Sequence, residues 1–196
     1  MNQLSDAVLE NALRGDVAAF EEVVAFHEKL VYNIAYRMLN NPEDASDITQ
    51  ESFIRLYKHI RSFESAGHIK SWLCRVAQNL CVDELRRRKG KPTKSLDETL
   101  EFEDSSASLQ FADDGPTPEE TAILQEDLSH LERAIAKLPE EYRAMIVLRD
   151  LGGLSYQEVA EITELEMGTV KSRLSRARMR LKELFLREQT GLQIVK

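Results

Sequence analysis

Apolar side chains recur at helical spacing at both ends of this chain, and the period is lost between Lys91 and Asp114. That division restricts the fold to two groups of packed helices with a spacer between them. In the first group, Phe20, Val23, Val24, His27, Leu30, Val31, Ile34, Ala35 and Met38 follow i, i+3, i+4 and i+7 steps on one helix face. Asn40-Asn41-Pro42 breaks that helix. Asn41 suits the cap of the next one and Pro42 its first position, and Glu43 and Asp44 favour its positive end. This second helix is expected to reach about Ile60. A third is expected from about His68 to Lys89, with Gly90 as its cap and Pro92 stopping it.

The second group opens on Thr117-Pro118-Glu119-Glu120, a capping box with proline at the first helical position. Leu124, Leu128, Leu131, Ile135 and Leu138 would share one face of that helix. Pro139 starts another, which ends at Gly152-Gly153, and Ser155-Tyr156-Gln157-Glu158 is a second capping box. No strand pattern accompanies these signals. The expected fold class is all-α: two small helical domains, 1–91 and 118–187, joined by a flexible acidic linker, 92–117.

The net charge of −8 is unevenly spread. Residues 1–90 hold 12 basic and 13 acidic side chains, residues 91–129 hold 2 and 11, and residues 130–196 hold 12 and 10. The acid excess therefore sits in the middle segment, and the overall charge says little about what the two ends bind.

Several classes of function are set aside by what the sequence lacks. No run approaches the ~20 apolar residues of a membrane span, and the polar N-terminus is unlike a targeting signal, so a cytoplasmic protein is expected. Cys74 and Cys81, seven residues apart on a helix, would lie about 10 Å apart along its axis, too far for a disulfide. His27, His59, His68 and His130 fall in different elements without ligand-spaced partners. There is no Walker loop and no G-x-S-x-G. No catalytic chemistry, metal or cofactor is expected.

Two helices around a tight turn end the second group, one from Tyr156 to Thr163 and one from about Gly168 to Leu186. Between Gly168 and Lys182 the latter carries Lys171, Arg173, Arg176, Arg178, Arg180 and Lys182 with no acid. Six like charges in four turns repel one another unless a polyanion is near, which points to a DNA-binding helix-turn-helix. The first turns of a recognition helix reach base edges, making Thr169, Lys171, Ser172, Ser175 and Arg176 base-reading candidates. Arg173, Arg178 and Arg180 are then phosphate contacts.

The runs Leu138-Pro139-Glu140-Glu141-Tyr142-Arg143, Tyr156-Gln157-Glu158-Val159-Ala160-Glu161-Ile162 and Gly168-Thr169-Val170-Lys171-Ser172-Arg173-Leu174-Ser175-Arg176-Ala177-Arg178 closely resemble the C-terminal region of extracytoplasmic-function sigma factors. The resemblance implies that this domain reads the −35 promoter element. It departs in the turn, where the family usually has glycine and this chain has Glu164. A non-glycine residue in a left-handed conformation there costs about 1 kcal/mol.

Ser71-Trp72-Leu73-Cys74-Arg75-Val76-Ala77-Gln78-Asn79-Leu80, with Asp83 and the run Arg86 to Lys89, looks like the same family's segment for capturing and opening the −10 element. The −10 candidates are Trp72, Arg75, Asn79, Arg86, Arg87 and Arg88. Trp72 also lies in an apolar stripe and suits core packing. Asn79 matches the position beside the loop that takes a flipped base, and otherwise reads as a surface amide. Asp47-Ile48-Thr49-Gln50-Glu51-Ser52-Phe53 resembles the segment that binds the polymerase clamp helices. Asp44, Asp47, Gln50, Glu51 and Phe53 are its candidates.

The resemblance implies an alternative sigma factor that binds RNA polymerase core through the clamp helices of its largest subunits. It implies direction of initiation at particular promoters, in a stress or envelope response, under an anti-sigma factor, with no membrane insertion of its own. It also implies that the acidic linker passes through core near template and nascent RNA, where its acids would imitate nucleic-acid charge; a solvated spacer fits the composition as well. Replacing those acids with Ser or Asn is expected to alter abortive initiation, and unchanged initiation would reduce the segment to a tether. The competing reading is a free-standing helix-turn-helix regulator bound as a dimer to two half-sites.

Overall fold

The computed structural model describes residues 4–63, 68–90 and 118–190, with the side chains of 89–90 and 118–124 left aside. The acidic linker and the Thr117 capping box lie outside the described residues. Every regular element among them is helical.

The N-terminal group has four helices: α1 (Asp6–Leu13), α2 (Val17–Leu39), α3 (Pro42–His59) and α4 (Ile69–Gly90). Local chemistry sets their ends. Asp16 Oδ1 accepts the Ala19 N–H at 2.8 Å and Asn41 Oδ1 accepts the Asp44 N–H at 3.0 Å, each satisfying a donor the helix start leaves free. Asn40 closes α2 in the left-handed conformation, φ 52°, which asparagine tolerates better than most residues. Gly15 turns the chain between α1 and α2 at φ 91°, with the Arg61 guanidinium against the space a Cβ would need. Helix α1 escaped the sequence reading. Ser5 caps it, Ala12 is fully buried, and its eight residues are too few to display a period.

The core of this group places Val23, Val31, Ile34 and Met38 of α2 among Ile48 and Leu56 of α3 and Ile69, Leu73, Ala77 and Cys81 of α4. Two hydroxyls go inside with their hydrogen bonds made: Thr49 donates to Ala45 O and Ser52 to Ile48 O, each at 2.7 Å. His27 is also buried, its Nδ1 2.9 Å from Val23 O. Burial, with the nearby charge of Lys70, holds its pKa below the ordinary 6.5 although the Val23 carbonyl favours the protonated ring. The unfolded chain therefore binds a proton that the folded one refuses, and stability falls as pH drops below about 6.5. The thermal midpoint is expected to decline between pH 7.5 and 5.5, and less steeply in His27→Asn. Parallel declines would mean the imidazole is not the titrating group.

The C-terminal group contains α5 (Pro118–Ala136), α6 (Glu140–Ile146), α7 (Tyr156–Thr163) and α8 (Met167–Thr190). Its core is Ile135, Leu138, Met145, Ile146, Leu148, Leu154, Val159, Val170 and Leu174. Helix α6 does not run unbroken to Gly152: Val147–Leu151 widens into a π-helical turn, after which Gly153 reverses at φ 65°. The Arg149 guanidinium lies 4.9 Å from the centre of the Tyr156 ring and donates to Leu154 O at 2.8 Å, bracing that turn. The expected α5 stripe is only partly inward. Ile135 and Leu138 are buried and Leu131 is half-buried, but Leu128 is 49% exposed; Leu124 lies outside the described side chains. Helix α8 runs four residues beyond the expected Leu186, held to α5 by Arg133 on Glu188 at 3.1 Å and Gln189 on Asp127 at 3.0 Å.

The two groups pack on one another, and the apolar core runs through both. Helix α2 meets α5, α6 and the π-helical turn, and α4 meets α7.

Candidate nucleic-acid interface and partner surface

The helix-turn-helix is built from local bonds outward. Ser155 Oγ accepts the Glu158 N–H at 3.2 Å and Glu158 returns the favour to the Ser155 N–H at 2.7 Å, completing the capping box of α7. Val159 and Ile162 of α7 close on Val170 and Leu174 of α8. The turn between them places Glu164 at φ 55°, ψ 37°, the left-handed conformation the family pattern reserves for glycine. The hinge geometry is therefore kept, at the cost of holding a side chain there.

Helix α8 sorts its cations into two sets. Arg173 pairs with Glu141 at 3.2 Å, Arg178 is bidentate on Asp150, and Arg180 pairs with Glu183 at 2.9 Å. Lys171, Arg176 and Lys182 are exposed and form no ion pair among the described residues. Ser172 and Ser175 are exposed beside them, and Thr169 is half-buried. The free positive charge thus concentrates on the outward stripe of Lys171, Ser172, Ser175 and Arg176. Arg173 and Arg178 are positioned by acids of their own domain.

On α4, Trp72 is half-buried, its ring edge-on to Phe63 at 5.5 Å and tilted to His59 at 6.2 Å. It packs against the core and stays partly accessible. Asn79 is exposed. The cations beyond it are largely answered within the chain: Arg86 by Asp83 at 3.6 Å, Arg87 by Glu84 at 2.8 Å, Arg88 by Glu84 at 3.1 Å and by Asp44. Arg88 also donates to Leu39 O at 3.4 Å. Asp44 and Arg88, assigned by sequence to different surfaces, thus meet at the corner of α2, α3 and α4.

Asp47, Gln50 and Ile54 lie exposed on one face of α3, with Glu51 half-buried and accepting from Arg55 at 2.7 Å. Phe53 is 8% exposed and forms a wall of an open groove of about 860 Å³ between α2 and α3. Phe20 and Val24 of α2 line it too, although the sequence placed them on the inward stripe. Phe20 and Tyr57 pack edge to face across it at 5.1 Å, and Glu21 and Glu28 rim it. The signal for this second face was present: the apolar arc of α2 is wider than one core needs, and it leaves Val17 and Phe26 exposed.

Burial pushes the thiols of Cys74 and Cys81 up to about 12, so neither is a nucleophile at neutral pH. Among the described residues no group of three or more His, Cys, Asp or Glu side chains is placed to hold a metal ion, and no helix is long and apolar enough to cross a membrane.

The family profile described as Sigma-70 region 2 matches residues 23–91, and that described as Sigma-70, region 4 matches residues 129–181. The chain is 37% identical over 176 residues to the ECF RNA polymerase sigma factor SigW of Bacillus subtilis, covering 89% of this chain and 93% of that one. It is 34% identical over 194 residues to SigM of Mycobacterium tuberculosis, covering 98% and 91%. Among solved structures, the sigma factor RpoE from Bartonella quintana in complex with the anti-sigma factor NepR aligns with TM-score 0.63 and 25% identity over 86% of this chain and 97% of that one. CnrH in complex with the cytosolic domain of CnrY aligns with TM-score 0.64 over 91% and 95%, and at 22% identity it supports the fold alone.

Proposed function

The chain belongs to the extracytoplasmic-function group of the sigma-70 family, alternative sigma factors that direct RNA polymerase to promoters, and we propose how its surfaces divide that work. The observation that carries the reading is the outward stripe of α8, where Lys171 and Arg176 are exposed and form no ion pair among the described residues, on a helix whose Val170, Leu174 and Ala177 are buried. That stripe reads the −35 element, with Arg176 suited to a guanine edge and Arg173 and Arg178 held by Glu141 and Asp150 at the height of the flanking phosphates. Helix α4 takes the −10 element. Asn79 faces solvent for a base, Arg75 would leave its 3.6 Å contact with Glu164 for the backbone, Trp72 offers a stacking wall, and Arg86 and Arg87 would exchange Asp83 and the half-buried Glu84 for phosphates. Arg88 mainly braces the fold.

The groove between α2 and α3 receives the clamp helices of core polymerase. Ile54 and Tyr57 supply apolar contact, and Asp47 and the rim acids supply charge to a basic partner. An anti-sigma factor, as accompanies the Bartonella quintana protein, would compete for the same groove. The domains of this reading are residues 1–91 and 118–187. Ile54 is 42% exposed, so Ile54→Glu leaves the fold intact while placing a charge in the groove. It is expected to weaken binding to core by roughly tenfold or more. Unchanged affinity would move the core contact elsewhere.

A further inference from the structure

Arg178 stands on the DNA side of α8 with an acid beside it. It follows Lys171 by seven residues, two helical turns that return to the same side of the helix. A carboxylate there repels any phosphate that approaches, and a neutral residue at position 150 would remove that repulsion. The fold nevertheless holds Asp150 firmly in place. It belongs to the π-helical turn Val147–Leu151, where Gly152 N–H donates to Val147 O at 2.8 Å. Next to it, Arg149 is fixed by the Leu154 carbonyl and the Tyr156 ring. From this braced turn both carboxylate oxygens of Asp150 reach the Arg178 guanidinium. Oδ2 accepts from Nε at 2.9 Å and Oδ1 accepts from Nη2. Tyr156 lies beside the same guanidinium. The arginine side chain is 49% exposed and the aspartate 31%, so the cation is the more open member of the pair.

We propose that Asp150 is a positioning residue for promoter binding: it aims Arg178 at a backbone phosphate flanking the −35 element, and so strengthens DNA binding despite its own negative charge. The proposal rests on the reading of α8 as the −35 helix and adds an acid to what that helix uses.

The geometry gives the reason. The bidentate pair fixes the plane of the guanidinium and takes two of its five N–H donors, leaving Nη1 clear of the carboxylate. A phosphate can therefore bind another edge of the fork while Asp150 keeps its own. A loose arginine loses its rotamer freedom when it reaches DNA, whereas Arg178 has already given that freedom up in folding. The other acids along α8 are less well placed for this. Glu141 meets Arg173 through a single contact at 3.2 Å. Glu183 meets Arg180 at 2.9 Å from the next turn of the same helix, with both side chains exposed, so that acid only competes with phosphate.

The test uses holoenzyme built from the full chain and bacterial core polymerase. The probes are a promoter duplex mapped by run-off transcription and the same duplex with its −35 element scrambled. Asp150→Ala should weaken binding to both by about fivefold, the cost of immobilising one long side chain. The loss should be alike on the two probes because a phosphate carries no sequence. The slope of log affinity against log salt should fall towards that of Arg178→Ala, about one unit below wild type. Asp150→Asn keeps an acceptor oxygen and should recover part of the loss. Glu183→Ala removes the same charge from α8 and should instead tighten binding by about twofold. In an Arg178→Ala background, Asp150→Ala should bring no further loss. Unchanged or tighter binding by D150A would overturn the proposal, leaving the acid a repulsive neighbour. A further loss in the R178A background would overturn it as well, because damage to the turn would then carry the effect. Wild-type binding by R178A would sink the phosphate role of Arg178, and the proposal with it, while leaving Lys171 and Arg176 to their own test.

Discussion

Replacing Lys171 and Arg176 together with alanine is expected to weaken holoenzyme binding to a −35-containing duplex by between about 30-fold and 10⁴-fold, at roughly 1–3 kcal/mol for each contact. The structure gives the reason for choosing this pair among six cations. Both are exposed on the outward face of α8 and neither forms an ion pair among the described residues, so on the proposed reading each would meet DNA without first breaking one. Arg180 pairs with Glu183 at 2.9 Å, and Arg180→Ala is expected to cost much less. Binding measured against salt should separate the contributions, because each lost phosphate contact lowers the slope of log affinity by about one unit. Equal losses for Arg180→Ala and Arg176→Ala would mean that simple charge density, and not the free stripe, governs binding.

Leu174→Ala is expected to destabilise the C-terminal domain by about 2–5 kcal/mol, a large share of what a domain of this size possesses. Leu174 is 1% exposed in the core that joins α7 to α8. Its loss leaves a cavity between α7 and α8, where Val159, Ile162 and Val170 also pack. Urea denaturation should show a lower midpoint at unchanged slope, and −35 recognition should fall with it. Leu181→Ala, at a half-buried position, serves as the control and should cost less. A shift in the L174A midpoint no larger than that of L181A would place the helix-turn-helix core elsewhere.

What the sequence made legible was mostly local. The Asn41-Pro42 start of α3 and the Ser155–Glu158 capping box are fixed by residues three apart, and both stand where the letters put them. The left-handed turn at Glu164 was readable because a family pattern marks that position for glycine, and the backbone keeps the conformation despite the substitution. Other features depend on distant partners. Arg143 meets Met38 across 105 positions and Arg88 meets Asp44 across 44, distances at which a lone sequence carries no pairing signal. For the same reason the packing of the two domains on one another went unseen, and a composition resembling a spacer suggested separation. The second face of α2 was missed because Phe20 and Val24 satisfy an inward stripe equally well. The π-helical turn at Val147–Leu151 leaves no mark, since Val147 and Leu148 continue the buried face that α6 begins and Arg149 and Asp150 read as an ordinary outward face.

The most direct test of the central claim is genome-wide run-off transcription with the protein reconstituted on bacterial core polymerase. The account expects discrete new start sites that share two spaced promoter elements, lost when Lys171 and Arg176 are replaced. No core binding and no new starts, together with tight DNA binding by the protein alone, would contradict it and leave a free-standing regulator.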